Sequence, residues 1–194
     1  ARDERTKSFR RVELDAYLRL IKPAKEGDAV GVVVAEGAIF DGESSGAGVG
    51  GRATAELLRK AREDEQIKAV VLRVNSPGGS SLSSDNILRE LDLCKKAGKP
   101  VVVSMGDVAA SGGYFISCHA DSIFAEPSTI TGSIGVFGMI PILDKTMRNK
   151  LGITYDTVRT GKYSTFGTPF FDFSPEEAAL IQNRVDGIYA DFLS

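Results

Sequence analysis

Three short turns rich in glycine and serine carry the residue types that could perform acyl transfer. They are residues 76–79 (Ser-Pro-Gly-Gly), 110–113 (Ala-Ser-Gly-Gly) and 131–133 (Thr-Gly-Ser). A serine between small residues at a helix start can expose its hydroxyl, and the amides there point at an incoming anion. Glycine lets a backbone N–H approach a tetrahedral oxyanion without a Cβ in the way. Ser111 is therefore a candidate nucleophile, and Gly78 and Gly112 are candidate oxyanion donors.

The same turns have a purely structural interpretation. A Ser-Pro-Gly-Gly sequence can be a tight turn, and Ala-Ser-Gly-Gly can be a helix start packed against a sheet. Either motif alone favours that interpretation. Two of them at the ends of adjacent parallel strands favour a functional site, because ligand sites in open α/β sheets gather at the carboxyl ends of strands.

The sequence contains one histidine, and its position argues against a Ser-His-Asp triad. His119 lies eight residues after Ser111, and we expect both residues on one short helix. At 1.5 Å per residue they would then be roughly 12 Å apart along the axis, beyond hydrogen-bond reach. If that helix forms, the triad is excluded within this chain. A lysine kept neutral by burial is a recognised alternative activator of serine.

Strands that alternate with helices are predicted to position these turns. The run of residues 30–35 is apolar and β-branched, which is typical of a strand covered on both faces. Ser174 is followed by a proline and a glutamate three residues on, which predicts a capped helix start. The predicted strands are 30–35, 69–74, 101–105, 122–125, 132–136 and 154–158, and the predicted helices are 53–62, 84–97, a short one holding Ser111, 142–151 and one from 174. This order predicts an α/β fold with a mostly parallel sheet and flanking helices.

Composition excludes several classes of function. The 194 residues carry 24 basic and 26 acidic side chains, a net charge of −2, so no global field attracts nucleic acid or anionic lipid. No apolar run approaches the ~18 residues of a membrane helix. One histidine, no cysteine pair at ligand spacing and no Gly-x-Gly-x-x-Gly after a strand predict neither a metal nor a cofactor. Cys94 and Cys118 are expected to be buried structural thiols, although a disulfide between them stays open.

The chain is expected to divide into residues 1–28, an N-terminal arm or a linker from a preceding domain, and residues 29–194, one domain. The arm is polar and basic, with a short helix predicted over residues 12–21. The chain starts without Met and stops inside an amphipathic pattern. We therefore expect a piece of a longer protein, which could carry a membrane anchor elsewhere.

Residues 68–79, 104–114 and 129–135 together resemble signal peptide peptidase of the protease IV type. The resemblance spans about residues 29–193. It implies that Ser111 is the nucleophile of a Ser-Lys dyad and that Ser133 orients the lysine amine. It also implies a fold like that of the Clp protease and crotonase group, built from repeated ββα or βαβ units.

The lysine of this dyad is where the sequence departs from the family pattern. Short family members carry it in a Gly-x-Tyr-Lys stretch, and the matching residues 161–164 here are Gly-Lys-Tyr-Ser. Ser164 therefore stands in the lysine's place, and Lys162 is two residues early, roughly 6–7 Å away along a strand. Lys162 is a candidate base, with an ordinary surface lysine as the alternative. Long family members have the lysine in a first half and the serine in a second, and this chain resembles the second half.

The resemblance implies a membrane-associated endopeptidase that degrades residual signal peptides, facing the extracytoplasmic side and forming homo-oligomers. A missing N-terminal half or a neighbouring subunit would supply the lysine. Two alternatives remain open. A crotonase-like acyl-CoA enzyme uses the same paired-amide chemistry without needing Ser111. A non-catalytic assembly domain that pairs with a catalytic half would need no nucleophile.

Overall fold

The computed structural model describes residues 2–3, 8–9, 27–43 and 48–194 of the chain. The predicted arm over residues 1–28 lies mostly outside this part, and the predicted helix over residues 12–21 lies entirely outside it. From Gly27 onward, the structure describes every residue except 44–47.

The described residues form nine strands and five helices. The strands are β1 Arg2–Asp3, β2 Ser8–Phe9, β3 Ala29–Glu36, β4 Ile39–Phe40, β5 Val49–Gly50, β6 Ile67–Ser76, β7 Val101–Ala110, β8 Ser122–Phe124 and β9 Ile130–Gly132. The helices are α1 Gly51–Glu63, α2 Ser81–Lys96, α3 Gly112–Phe115, α4 Asp144–Leu151 and α5 Pro175–Leu193.

Five of these strands make one parallel sheet. Its order is β3-β6-β7-β8, and β9 also pairs with β7. β1 and β2 pair antiparallel, and β4 and β5 form a short parallel pair of their own. The predicted α/β fold, with a mostly parallel sheet and flanking helices, is confirmed.

The core lies between one face of the sheet and the helices α1 and α2. Alternate residues of β6, Val70, Leu72 and Val74, are fully buried, and Leu58 of α1 and Ile87 of α2 join the same apolar cluster. Each such side chain stabilises the fold by about 1.5–3 kcal/mol when it is fully buried. This packing fixes β6 and β7 side by side, so that the glycine turns after both strands meet at one edge of the sheet.

The strand β3 differs from its prediction. Val30, Val32 and Val34 are 58%, 64% and 57% exposed, whereas Val33 and Ala35 face the core. An apolar run that is mostly β-branched suits a strand buried on two faces, but it does not say whether a second layer exists. In this chain one face of β3 is open, and the expectation of two covered faces is wrong for the described residues.

Other elements also begin or end at residues that differ from the predicted ones. The third strand was predicted to end at Met105, but β7 continues to Ala110 because β9 provides a second ladder. The strand predicted at 132–136 lies earlier, as β9. The strand predicted over residues 154–158 is absent, since this exposed segment has no strand beside it among the described residues. A β-branched composition makes a strand only where a partner is available.

The predicted cap of the last helix is present. Ser174 Oγ accepts a hydrogen bond from the Glu177 amide at 3.2 Å, and Glu177 Oε2 accepts one from the Ser174 amide at 2.8 Å. These hydrogen bonds lower the pKa of Glu177, and the bond from the Ser174 amide has the largest effect. The capping box therefore determines where α5 begins. Within the described residues, none of the helices is long and apolar enough to cross a membrane.

Ser174→Ala should loosen the first turn of α5 without unfolding the sheet. Loss of such a cap typically costs about 0.5–2 kcal/mol. Glu177 is the only buried residue of α5. We therefore expect the lost free energy to appear as local opening of the helix start. Hydrogen exchange in residues 176–180 should become several-fold faster, while β6 and β7 stay unchanged. Equal acceleration in α5 and in the sheet would contradict this assignment.

Candidate active site

Ser111 occupies a sharp bend between β7 and α3. It is the N-cap residue of α3, and its backbone has φ 51° and ψ −123°. A left-handed φ at a residue other than glycine costs on the order of 1–3 kcal/mol and persists only where neighbouring structure enforces it. Here the Ser111 amide donates to Gly132 O at 2.9 Å, and Ser111 O accepts from the Phe115 amide at 2.9 Å. The bend resembles the strained strand-to-helix turn that exposes a nucleophilic serine.

The hydroxyl of Ser111 is not used for capping. The other serine N-caps, Ser80 and Ser174, accept hydrogen bonds from amides of their own helices, whereas Ser111 caps none. Among the described residues, Ser111 Oγ has no hydrogen-bond partner, and Ser111 borders a cavity. Its hydroxyl is therefore placed for reaction with a bound ligand.

The turn after β6 lies directly against Ser111. A Cβ built on Gly78, which has φ +95°, would come within 2.6 Å of Gly112 N and 2.8 Å of the Ser111 Cβ. The predicted neighbourhood of Gly78, Ser111 and Gly112 is thus present. The Gly78 amide, however, donates to Ser76 Oγ at 3.1 Å. Its role as an oxyanion donor stays a prediction, as does that of Gly112.

Gly79 is a further candidate donor that the sequence interpretation missed. The Ile39 amide donates a hydrogen bond to Gly78 O, and Ile39 O accepts one from the Ser80 amide, both at 2.9 Å. The residues on either side of Gly79 are therefore both bound to Ile39. The Gly79 amide has no partner among the described residues, and its nitrogen lies 3.2 Å from a Cβ built on Gly112. Two adjacent glycines look alike in a sequence, and only the hydrogen bonding distinguishes them.

Ser133 follows β9 and also borders the cavity. Its φ of 51° is the only left-handed value besides that of Ser111 among the described residues that are not glycine. β9 runs beside the end of β7, with Ala110 opposite Gly132. The sheet therefore brings together Ser111 and Ser133, as the sequence predicted, although the role of Ser133 stays a prediction.

The cavity has a volume of about 560 Å³, within the usual range for ligand sites. The helix α5 forms one wall, and Phe192 near its end stacks on Phe115 with ring centroids 4.9 Å apart. Serines and glycines of the three turns form the other side. The apolar lining residues are Pro77, Leu82, Phe115, Val136, Phe137, Ile188 and Phe192, and the charged ones are Asp85, Arg184 and Asp191.

Among the described residues, none of those that line the cavity is a lysine or a histidine. Lys162 instead forms an ion pair with Glu176, and this bond raises the pKa of the lysine. A lysine must be neutral to act as a general base, so a raised pKa is in the wrong direction for that role in this arrangement. Ser164 closes its own turn by donating to Gly161 O at 2.8 Å. Lys162 as the base stays a prediction.

His119 and the cysteines lie in other surroundings. α3 ends at Phe115, so the prediction that His119 shares a helix with Ser111 is wrong. His119 Nδ1 lies 3.1 Å from Asp92 Oδ1, and the residue does not border the cavity. Cys94 and Cys118 are free thiols, and burial raises the pKa of both. A raised pKa makes a thiol a poor nucleophile at neutral pH.

Comparison with known proteins gives the family. The profile of peptidase family S49 matches residues 94–194. Protease 4 of Haemophilus influenzae is 48% identical over 186 residues, which is 94% of this chain and 30% of that protein. This chain belongs to peptidase family S49. The family is a protease family, in agreement with the resemblance of residues 68–79, 104–114 and 129–135.

Two further relatives of this S49 chain also have the names of proteases. Protease 4 of Salmonella typhi is 45% identical over 172 residues, 89% of this chain and 28% of that protein. The chloroplastic serine protease SPPA of Arabidopsis thaliana is 41% identical over 138 residues, 71% and 20% respectively. Among solved structures, ClpP1 from Listeria monocytogenes matches 46% of each chain at 21% identity, with a TM-score of 0.37. The chain thus spans less than a third of the length of these Protease 4 relatives.

Replacing Gly78 by alanine should severely impair the site. The new Cβ would crowd the Gly112 amide and Ser111, and the left-handed φ would be strained. We expect kcat of the full-length protein to fall by about 10²–10³-fold, the usual effect of disturbing an oxyanion hole. Gly98→Ala is the matched control, because Gly98 has φ +78° but nothing within 4 Å of the added Cβ. Equal kcat values for the two variants would contradict this prediction.

Proposed function

We propose that this chain is the serine-bearing catalytic part of an endopeptidase, with Ser111 as the nucleophile. The observation that carries the proposal is the unpartnered Ser111 hydroxyl in a cavity beside the amides of Gly79 and Gly112. Attack by this hydroxyl on a peptide carbonyl would give an oxyanion within reach of those amides. The serine protease among the relatives supports the same chemistry.

The proposed mechanism uses a Ser-Lys dyad whose lysine comes from outside the described cavity lining. A neutral amine would take the Ser111 proton during attack and return it to the leaving amine. Ser133, next to Ser111, would orient that amine. The family pattern and the serine at position 164 support a lysine supplied by a preceding half of the protein or by a neighbouring subunit.

The proposed substrates are apolar peptides, in particular residual signal peptides cleaved at or near a membrane. The aromatic and aliphatic lining of the cavity supports this, since it would hold small or apolar side chains on either side of the scissile bond. A homo-oligomer belongs to the same proposal, because a serine and a lysine on separate parts of the protein must be brought together. An extracytoplasmic location belongs to it because of the family resemblance.

Assay of the full-length protein on two substrates tests the proposal. Cleavage of a short apolar peptide that stops after treatment with a serine-directed phosphonate is the expected result. Turnover of an acyl-CoA thioester that resists the phosphonate would instead indicate the crotonase-like alternative. Turnover of neither substrate, with the phosphonate unbound, would indicate an assembly domain.

A further inference from the structure

β6 and β7 lose their common register shortly before Ser111. The two strands are paired at Val74–Met105 and again at Ser76–Ala109. One residue of β6 therefore faces three residues of β7, namely residues 106–108, which we call the bulge. Bulges of this kind bend a strand and re-aim the side chains that follow.

The bulge separates two halves of β7 that have different partners. Before it, residues 102–104 pair with β8, and from its last residue onward, residues 108–110 pair with β9. The second ladder ends where the Ser111 amide donates to Gly132 O at 2.9 Å. The bulge therefore lies directly before the segment of β7 that leads to Ser111 and that pairs with the strand preceding Ser133.

The side chain of Asn75, the one β6 residue opposite the bulge, fills it. Asn75 Oδ1 accepts a hydrogen bond from the Val108 amide at 3.1 Å. Its Cβ, Cγ and Oδ1 lie 3.0 Å from where a Cβ of Gly106 would be. On its other side, the Asn75 carbonyl accepts from the Gly37 amide at 2.9 Å. Asn75 thus replaces the ladder bond that the bulge removes.

Two further side chains satisfy the carbonyl groups next to Asn75. Arg73 Nη1 donates to Met105 O, and Thr129 Oγ1 donates to Gly106 O, both at 2.8 Å. Polar backbone groups that leave a ladder need such partners, since unpaired ones would destabilise the bulge. The bulge is therefore held in one conformation by side chains, and Asn75 is the residue at its centre.

We propose that Asn75 is a positioning residue for Ser111. It acts through the bulge, by holding the Val108 amide three residues before the nucleophile, and it does not itself border the cavity. The proposal rests on the proposed function, in which Ser111 is the nucleophile. A displacement of about 1 Å at a reacting group can lower the rate by as much as ~10²-fold.

Three variants of the full-length protein test the role of Asn75. Asn75→Ala removes the acceptor, Asn75→Asp retains Oδ1, and Asn86→Ala is the matched control on the exposed side of α2. We measure kcat and KM on an apolar peptide, the rate of phosphonate labelling, the melting temperature, and hydrogen exchange in residues 106–111 and 101–104.

Asn75→Ala is expected to lower kcat and the labelling rate by about 10–100-fold with KM within about twofold. Exchange should become at least about tenfold faster in residues 106–111 only. Asn75→Asp should recover most of both losses. These results together would support positioning, because a purely structural loss would accelerate both segments and lower the melting temperature.

The proposal is overturned if Asn75→Ala matches Asn86→Ala in kcat and in exchange. Equal acceleration of residues 101–104 and 106–111, with a lower melting temperature, would also overturn it. Failure of the proposed function has a separate signature, full turnover in Ser111→Ala. In that case the exchange of residues 106–111 in Asn75→Ala still decides whether Asn75 fixes the position of Ser111.

Discussion

Ser111→Ala in the full-length protein is expected to lower kcat on an apolar peptide by at least about 10⁴-fold, with little change in KM. The substitution removes only the hydroxyl, so binding in the cavity should persist while the acyl-enzyme cannot form. The described cavity lining contains no cysteine, histidine or lysine, and its other serines, Ser81, Ser84 and Ser133, do not lie at the bend between β7 and α3. Removal of a nucleophile has effects of this order in other serine peptidases.

Ser122→Ala is the control for this experiment. Ser122 is an exposed serine in β8, away from the cavity lining, and its loss should leave kcat within about twofold. Residual activity of Ser111→Ala within tenfold of the Ser122 variant would mean that another residue performs the chemistry. Melting temperatures of both variants show whether the comparison is made between folded proteins.

The isolated 194-residue chain is expected to have about 10²–10⁴-fold less peptidase activity than the full-length protein, the usual contribution of a general base. A serine hydroxyl without a base is a poor nucleophile at neutral pH. The bond to Glu176 raises the pKa of Lys162 and keeps its amine charged. His119 is next to Asp92 instead of Ser111.

The variant Lys162→Ala decides whether Lys162 contributes. We expect the weak activity of the isolated chain to be unchanged by it, and equally by Lys60→Ala, in which another exposed lysine with a glutamate partner is removed. Robust hydrolysis that disappears only in Lys162→Ala would make Lys162 the base. Circular dichroism should first show that the isolated chain is folded.

The parts of the fold that follow from local sequence could be predicted. The start of α5 depends on the side chains of Ser174 and Glu177. These residues are three positions apart, and their pattern can be recognised from the sequence alone. The apolar run of residues 69–74 likewise predicted a strand, and β6 contains it. Both features depend on neighbours in the chain, which is why they were foreseen.

The parts that depend on distant partners could not be predicted. β7 extends beyond Met105 because β9 pairs with it and β6 pairs with it again at Ala109. The bulge opposite Asn75 likewise requires knowledge of the register between two strands. The exposure of Val32 depends on whether a second layer covers β3. At the site, the sequence placed Ser111 near Gly78, but the direction of the Gly78 amide toward Ser76 Oγ requires coordinates.

The most direct test of the account is to locate the covalent adduct of a serine-directed phosphonate on the full-length protein. After digestion, mass spectrometry should find one modified peptide containing residues 110–114, with the added mass on Ser111. Peptidase activity should fall in proportion to that modification. An adduct on any other serine, or complete inhibition with Ser111 unmodified, would contradict the assignment of Ser111 as the nucleophile.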